Sequence, residues 1–544
     1  MIYPRATEMT VPQWLQALSA PDERLRRALC ALYGPDEPVH RQRLALMRRT
    51  ARAAAERLPH DRPTILVRVP GRINTMGLHS DGQLSWKNHV VFGREIVGFA
   101  QRRSDDTVAL LSPHERYPDH RCSIADLLPA DRRGSEWADV LEESEIEPGA
   151  WQNYLIGPIL ALQNRFPGRP LCGMNLLVDG DIPVAAGVSS SSALATLAGI
   201  ATIYFNELEL EWGEAIRIIG AGEWYCGSRG GPGDTGSQML CRLGHVLHIR
   251  YDIAFDPWEA HHLPFPDEWR IVLCDTRVEA RKSVEALQTA TSRGLAQASG
   301  MIILRERFPE ALGDVRCLAH VSPEHIEIEL ADVYHMLRAL PERASMEDLP
   351  RLAPGRVDEL APVMRHYRVD LPDFPLRPVC MYMICEPARG ARNRPVLEAR
   401  DEAEMGRLLT AAHDGDRVVR WADDEHCVPY DRRVSDELLT RLAAMAERGE
   451  EAAALHRQPG GFACSCPELD LLVDICTGVE GVIGARVTGA GMGGCMFAYV
   501  HRDAVDDVLR EVGERYYRPR GLELAAWELH PVERGGPLVL EADT

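Results

Sequence analysis

The fold class predicted here is α+β, in at least two domains, and three observations predict it. The chain has 544 residues, 45% hydrophobic and 26% charged, which describes an ordinary globular protein long enough for two or three separate cores. An apolar run at residues 174–179 enters the stretch Asp181-Ile-Pro-Val-Ala-Ala-Gly-Val-Ser-Ser-Ser-Ser-Ala193, and a small-residue helical pattern leaves it. Near the C-terminal end a strand at 484–487, a Gly-rich turn at 488–494, a strand from 495 and a helix at 504–517 suit a compact α+β unit.

Taken in order, residues 1–60 read as helical, because apolar residues recur at helical spacing around Trp14 and the stretch 41–58 is rich in Ala, Arg and Leu. No Gly/Ser linker cuts this segment off, so it is expected to pack on the domain that follows. Strands are predicted at 64–69, 90–100, 107–111, 245–251 and 269–274, and helices at 151–163, from 193, and at 212–225. Residues 284–375 read as mostly helical, with an amphipathic segment at 330–340, and so do 418–458 and 468–477. The expected division is a helical extension (1–60), a first domain (61–255) and a second domain (256–544). The second domain carries helical insertions near 300–375 and 420–460, which read most simply as solvated decoration.

Composition excludes several classes. A net charge of −20 argues against nucleic-acid or anionic-membrane surfaces, and no apolar run approaches a membrane span. The N-terminal residues lack the apolar core of a signal peptide. Fourteen scattered cysteines show neither small-domain disulfide spacing nor a second pair at zinc-ligand spacing, so a reducing cytoplasm is expected. Monomer and homodimer both remain open.

Three stretches carry chemistry. In the Ser-rich loop, Gly187 permits a tight turn, and free N–H groups with four hydroxyls (Ser189, Ser190, Ser191, Ser192) make an anion site able to offer an oxygen to Mg2+. The plain alternative is a Ser cap on a buried helix. Val487-Thr-Gly-Ala-Gly-Met-Gly-Gly-Cys495 exposes consecutive amides, Gly489 and Gly491 among them, yet a Gly-rich turn between strands is common. Val69-Pro-Gly-Arg-Ile-Asn-Thr-Met-Gly-Leu-His-Ser-Asp81 delivers Arg72, suited to phosphate, and Asn74, His79 and Asp81, suited to sugar hydroxyls. No P-loop pattern occurs anywhere in the chain.

Together these stretches resemble the GHMP kinases, and galactokinases in particular. Pro70 to Asp81 resembles the sugar-binding signature P-G-R-V-N-L-I-G-E-H-T-D. The Ser-rich loop and residues 487–495 are similar to the second and third motifs of the superfamily. Trp151-Gln-Asn-Tyr154 with Gly157 resembles W-x-N-Y-x-x-G, and Ser465-Cys-Pro-Glu-Leu-Asp470 is similar to S-x-P-E-L-D. The matches run in the family's order. They imply the GHMP kinase fold, two domains with the active site in the cleft between them, binding ATP with Mg2+ as cofactor and a monosaccharide.

The resemblance also implies roles. Counting back from Gly244-His245, the catalytic carboxylate falls on Asp234, inside Gly231-Pro-Gly-Asp-Thr-Gly-Ser-Gln238; a structural Asp capping a Gly turn is the alternative. Arg72 would assist it. Asn74, Leu78, His79, Asp81 and Asp234 fall at sugar-binding positions, and Gly187, Val188, Ser189 to Ser192, Gly489 and Gly491 at phosphate positions. Glu223 would be a metal ligand together with Ser191, with Ser190 or Ser192 as the neighbouring registers. The implied reaction is in-line transfer of the γ-phosphoryl group to an anomeric hydroxyl.

Two departures bear on the substrate. The family's Glu is Leu78 here, and Gly82-Gln-Leu-Ser replaces the Tyr-Asn-Gly-Gly expected after Asp81. A site lacking that acceptor loses its preference for a C6 hydroxyl, which points to a sugar altered at C6, of galacturonate, arabinose or fucose type. Lys87 or His89 would pair with a substrate carboxylate. A catalytically idle sugar/ATP sensor on the same fold and a kinase of non-sugar alcohols are the competing readings.

Overall fold

Two antiparallel-rich sheets share two apolar cores: the first core takes one face of the second sheet (Ile271, Leu273, Phe497, Tyr499), and the second core takes its other face (Val272, Met496, Val500). The computed structural model describes residues 2–541 except 145, 148, 228–229, 253–254, 257 and 280–283, and omits the side chains of 284–287. The first sheet has eight strands. Its path runs Gly536–Pro537, Ile65–Met76, Trp86–Arg102, Met174–Gly180, Thr107–Leu111, His120–Ser123, with His245–Tyr251 and Trp258–Pro264 branching from Trp86–Arg102. The pairing of Thr107–Leu111 with Met174–Gly180 is its one parallel ladder among the described residues. The strand Ile65–Met76 is buried at almost every residue, as a strand covered on both faces must be.

The N-terminal segment forms the helices Val11–Ser19, Glu23–Tyr33 and Glu37–Arg57, and they pack on this sheet as expected. Trp14 is fully buried and donates its indole N–H to the Thr64 carbonyl at 2.8 Å. The third helix also reaches the entry to the Ser-rich loop. Arg43 makes a bidentate pair with Asp181 (3.0 and 2.5 Å) and Arg49 with Asp179 (2.7 and 2.8 Å).

The second sheet is four-stranded, in the order Val482–Val487, Cys495–His501, Trp269–Asp275, Ala526–Leu529. Helices Pro467–Thr477 and Val505–Val512 contribute to its core. The helix expected over 504–517 ends earlier, passing at Gly513 into a wider π turn, Gly513–Tyr517.

The insertions depart most from expectation. Residues 418–458 are not one helical run. A short hairpin, Val419–Trp421 with Cys427–Pro429, comes first, and the helix is Asp436–Glu447, capped by the Ser435 hydroxyl. The Asp423 side chain accepts from the N–H groups of Glu425 and His426, and this local turn competes with helix. The 23-residue helix Arg377–Ala399, which no sequence signal indicated, is the buried centre of the second core. It carries two internal prolines and apolar residues around much of its girth, so its sequence lacks the amphipathic stripe of a surface helix.

Nor is the inserted material solvated decoration. Leu304, Leu318, Tyr334 and Leu360 lie in the second core. Cys317 donates its thiol to the Gln83 carbonyl (3.4 Å), and the Ala319 N–H donates to Gln83 Oε1 (3.1 Å). The insertion therefore touches the segment that follows Asp81. Among the described residues no helix is long and apolar enough to cross a membrane.

Candidate active site

The site forms where the Ser-rich loop, the Arg72 strand and the helix Gly233–Leu240 converge. Ser189 sits at the start of the helix Ser190–Phe205 with φ 63°, a left-handed conformation unusual for Ser, and its hydroxyl caps nothing. Instead it donates to Asp234 Oδ2 at 2.5 Å. The simple reading of a Ser helix cap therefore fails here. Ser192 donates to Glu223 Oε2 (2.8 Å) and lies 3.4 Å from Asp234 Oδ2.

Arg72 and Asp234, far apart in sequence, form a bidentate pair: Nε to Oδ1 at 2.6 Å and Nη2 to Oδ2 at 2.7 Å. The remaining Nη1 donates to the Gly187 carbonyl at 2.8 Å and ties the pair to the Ser-rich loop. Burial alone would raise the Asp234 carboxyl, but Arg72 and the Ser189 hydroxyl overcome that and hold it below the usual carboxylate range. Glu223 goes the other way. Burial first, and the charge of Asp234 second, push it up to about 7 against the Ser192 and Ser191 hydroxyls. Two neighbouring carboxyls are thus driven apart, one firmly ionised and one poised near neutrality, a pattern typical of sites where charge is handled.

The third motif closes over this centre from the second sheet. The Cys495 N–H donates to the Ala186 carbonyl (3.0 Å), and the buried Thr488 hydroxyl both accepts from the Asn74 N–H (3.1 Å) and donates to the Asn74 carbonyl (3.0 Å). A Cβ on Gly489 would stand 2.2 Å from the Gly187 carbonyl oxygen, so only Gly lets the two phosphate-type loops meet.

The sugar-type residues divide. Asp81 is exposed, accepts the Tyr251 hydroxyl on Oδ1 at 2.6 Å, and lies against the first turn of the Asp234 helix. A Cβ at Gly233 would meet that phenol oxygen at 2.1 Å and Asp81 Oδ1 at 3.0 Å, which explains the Gly preceding Asp234. Asn74 keeps its side-chain oxygen buried and without a hydrogen-bond partner among the described residues. His79, at φ 60°, stacks on Phe462 (ring centroids 4.1 Å apart) with Nε2 3.0 Å from Cys464 Sγ. Leu78 is not brought to the site: it is 2% exposed and packs in the second core.

Lys87 and His89, on the strand that follows the Asp81 loop, are both buried. Neither the Lys87 ammonium nor the ring nitrogens of His89 have hydrogen-bond partners among the described residues. Tyr251, Thr488 and Glu386 escaped the sequence reading. Glu386 accepts from the N–H groups of Gly77 and Leu78 (2.9 and 3.0 Å), but it reaches them from over 300 residues away, a distance no local pattern announces.

Comparison with known proteins agrees with this geometry. Residues 153–241 match the GHMP kinases N terminal domain and residues 437–518 the GHMP kinases C terminal domain. The galactokinase of Roseiflexus sp. (strain RS-1) is 25% identical over 462 residues, 84% of this chain and 89% of that one. That of Dictyostelium discoideum is 23% identical over 464 residues, 84% of this chain and 85% of that one. Among solved structures, Lactococcus lactis galactokinase complexed with galactose superposes with a TM-score of 0.60 at 19% identity, covering 89% of this chain and 97% of that one, which shows a common fold.

Proposed function

We propose that this chain is a galactokinase-like sugar kinase of the GHMP type, which transfers the γ-phosphoryl group of ATP to the anomeric hydroxyl of a galactose-type monosaccharide and gives a sugar 1-phosphate; its matches to both GHMP kinase domains and to galactokinases support this reading. The observation that carries this reading is the bidentate Arg72–Asp234 pair set against the Ser189 hydroxyl at the start of a helix. Asp234, ionised and partly exposed, accepts or orients the proton of the attacking hydroxyl. Arg72 steadies the negative charge that develops as the phosphoryl group moves. The N–H groups at the Ser-rich helix start, with Gly489 and Gly491 opposite, cradle the phosphates.

The donor set fits Mg2+. Glu223, Ser192 and Ser191 offer hard oxygen ligands, and a carboxyl pushed up to about 7 by burial is one that a divalent cation would return to its ionised form. Bound with nucleotide, Mg2+ would neutralise charge on the β- and γ-phosphates. The direct contact of Ser192 with Glu223 favours Ser192 over Ser191 as the hydroxyl ligand. Binding then depends on pH, because below about 7 the proton on Glu223 competes with the metal. Thermal-shift measurements with Mg2+ and ATP are expected to show a larger melting-temperature gain above that value than below it. Glu223→Gln should erase the difference; an equal gain for both proteins would remove Glu223 from the metal site.

The finer reading is that the sugar is altered at C6. Position 78 offers a C6 hydroxyl no acceptor, since Leu78 turns into the second core. A panel of free sugars assayed for ADP release is expected to give kcat/KM for a galacturonate-, arabinose- or fucose-type sugar at least equal to that for galactose. A strong preference for galactose overturns the C6 reading, and no turnover with any sugar favours the idle sensor.

A further inference from the structure

Lys87 lies in the same part of the fold as the residues proposed to handle sugar, yet the mechanism does not use it. In the register of the first sheet Asn74 pairs with His89, and Lys87 pairs with Ile249, two residues before Tyr251. Same-face residues on a strand are roughly 7 Å apart, so Arg72, Asn74, His89, Lys87 and Tyr251 line one continuous face. The Lys87 side chain is 1% exposed and its ammonium has no hydrogen-bond partner among the described residues. Burying an ammonium in that state is costly, and a site that keeps one must gain from it elsewhere.

Its surroundings indicate where the gain lies. The Lys87 nitrogen stands 4.2 Å from the centroid of the Tyr251 ring, and the hydroxyl of that ring donates to Asp81 Oδ1 at 2.6 Å. An O–H drawn toward a carboxylate enriches the ring in electrons, which strengthens its attraction for a cation on its face; the cation in turn favours the carboxylate beyond it. The groups facing Lys87 from each neighbouring element are Asp81 from the sugar loop, Tyr251 from the adjacent strand, His89 from its own strand and Cys317 from the insertion. Burial pushes the Tyr251 phenol and the Cys317 thiol up, and burial, with Arg72 second, holds His89 down at about 3. All three are neutral near pH 7, which leaves Asp81 as the charge that Lys87 acts upon.

We propose that Lys87 is a positioning residue of the sugar site, acting through the Tyr251 ring on Asp81. Tyr251 occupies Oδ1, so Oδ2 is the atom left for a sugar hydroxyl, and the cation behind the ring fixes the carboxylate's orientation and field. This deepens the sugar-kinase reading and rests on it. Burial lowers the Lys87 ammonium to about 8, against the charge of Asp81. Its charge is therefore present at neutral pH and is lost as pH rises through about 8.

The test is steady-state kinetics of the full-length enzyme, with whichever panel sugar it phosphorylates, from about pH 6.5 to about pH 9.5. The wild-type KM for sugar should climb about tenfold across that range while the KM for ATP holds, the equivalent of one pKa unit of lost interaction. Lys87→Met should show the raised sugar KM at every pH, with kcat changed far less. Lys87→Arg, which keeps its charge, should retain the low KM into the alkaline range. A sugar KM indifferent to pH and to both substitutions overturns the proposal while leaving the kinase reading intact, because turnover is observed. Should Lys87→Met fail to fold, the wild-type and Lys87→Arg profiles decide between the same two outcomes. A complete lack of turnover with every sugar overturns the kinase reading and this proposal with it.

Discussion

Asp234→Asn is expected to lower kcat by about 10²–10⁴-fold, the range over which a positioned general base contributes. The amide keeps the shape of the carboxylate and one oxygen for Arg72, so the fold survives. It cannot accept the hydroxyl proton, and it no longer neutralises a guanidinium only 10% exposed. Calorimetric binding of sugar and of ATP should persist, with ADP release as the readout of the lost step. An Asn variant with wild-type kcat would mean that Asp234 merely anchors Arg72. The acid limb of the pH–rate profile follows from the two neighbouring carboxyls. Asp234 is held low and stays ionised well into acid, whereas Glu223, lifted to about 7, takes up a proton first. Activity should therefore fall on the acid side through metal loss before the base itself is protonated, and excess Mg2+ should shift that limb to lower pH.

The largest expected effect on stability lies away from the chemistry. Glu386 and Arg486 are both fully buried and pair at 2.6 Å; Arg389 holds the other Glu386 oxygen at 2.7 Å, and Arg486 reaches Asp416 at 3.1 Å. The same Glu386 oxygen that meets Arg486 accepts the N–H groups of Gly77 and Leu78. Burial would raise Glu386, but Arg486 and Arg389 hold it down to about 2. A carboxyl lowered from 4.5 to about 2 contributes stability that is complete above 4.5 and lost as pH falls toward 2. Glu386→Ala leaves the buried Arg389 without a carboxylate and the buried Arg486 with Asp416 alone, and such losses cost about 3–5 kcal/mol. Denaturant unfolding should show this, and Glu386→Gln should cost less, since an amide oxygen still accepts from the Gly77 and Leu78 N–H groups and from one guanidinium. A destabilisation below about 1 kcal/mol would mean that water replaces the carboxylate. The variant should also raise the KM for sugar, because residues 77–79 lose the anchor that holds the start of the sugar loop.

The residues that come together in the candidate site were legible where short segments place strong demands on the backbone. Arg72, Asp234, Glu223 and the Ser-rich loop each stand in a stretch of glycines, prolines and small residues whose reason is local, and the structure brings them within hydrogen-bond reach of one another. The strands and the C-terminal strand–turn–strand order were legible for the same reason: alternation and turn residues act over a few positions. Illegible were the features set by partners far along the chain. Leu78 reads as a substitution in a sugar pocket, yet it belongs to a core whose other residues all lie beyond position 270. The helix Arg377–Ala399 hid because burial around its girth erases the amphipathic stripe, and because its two prolines argue against helix until tertiary packing overrides them.

The sequence by itself determined the kind of chemistry, through motifs whose glycines, serines and charged residues have few other uses in that order. Tertiary structure alone decided that the Ser192 hydroxyl meets Glu223, that Lys87 is held on the Tyr251 ring behind Asp81, and that a buried charge network holds the backbone of Gly77 and Leu78. The physical reason is range: backbone preferences are written over a few neighbouring residues, whereas burial and charge pairing join side chains that only the finished fold brings together.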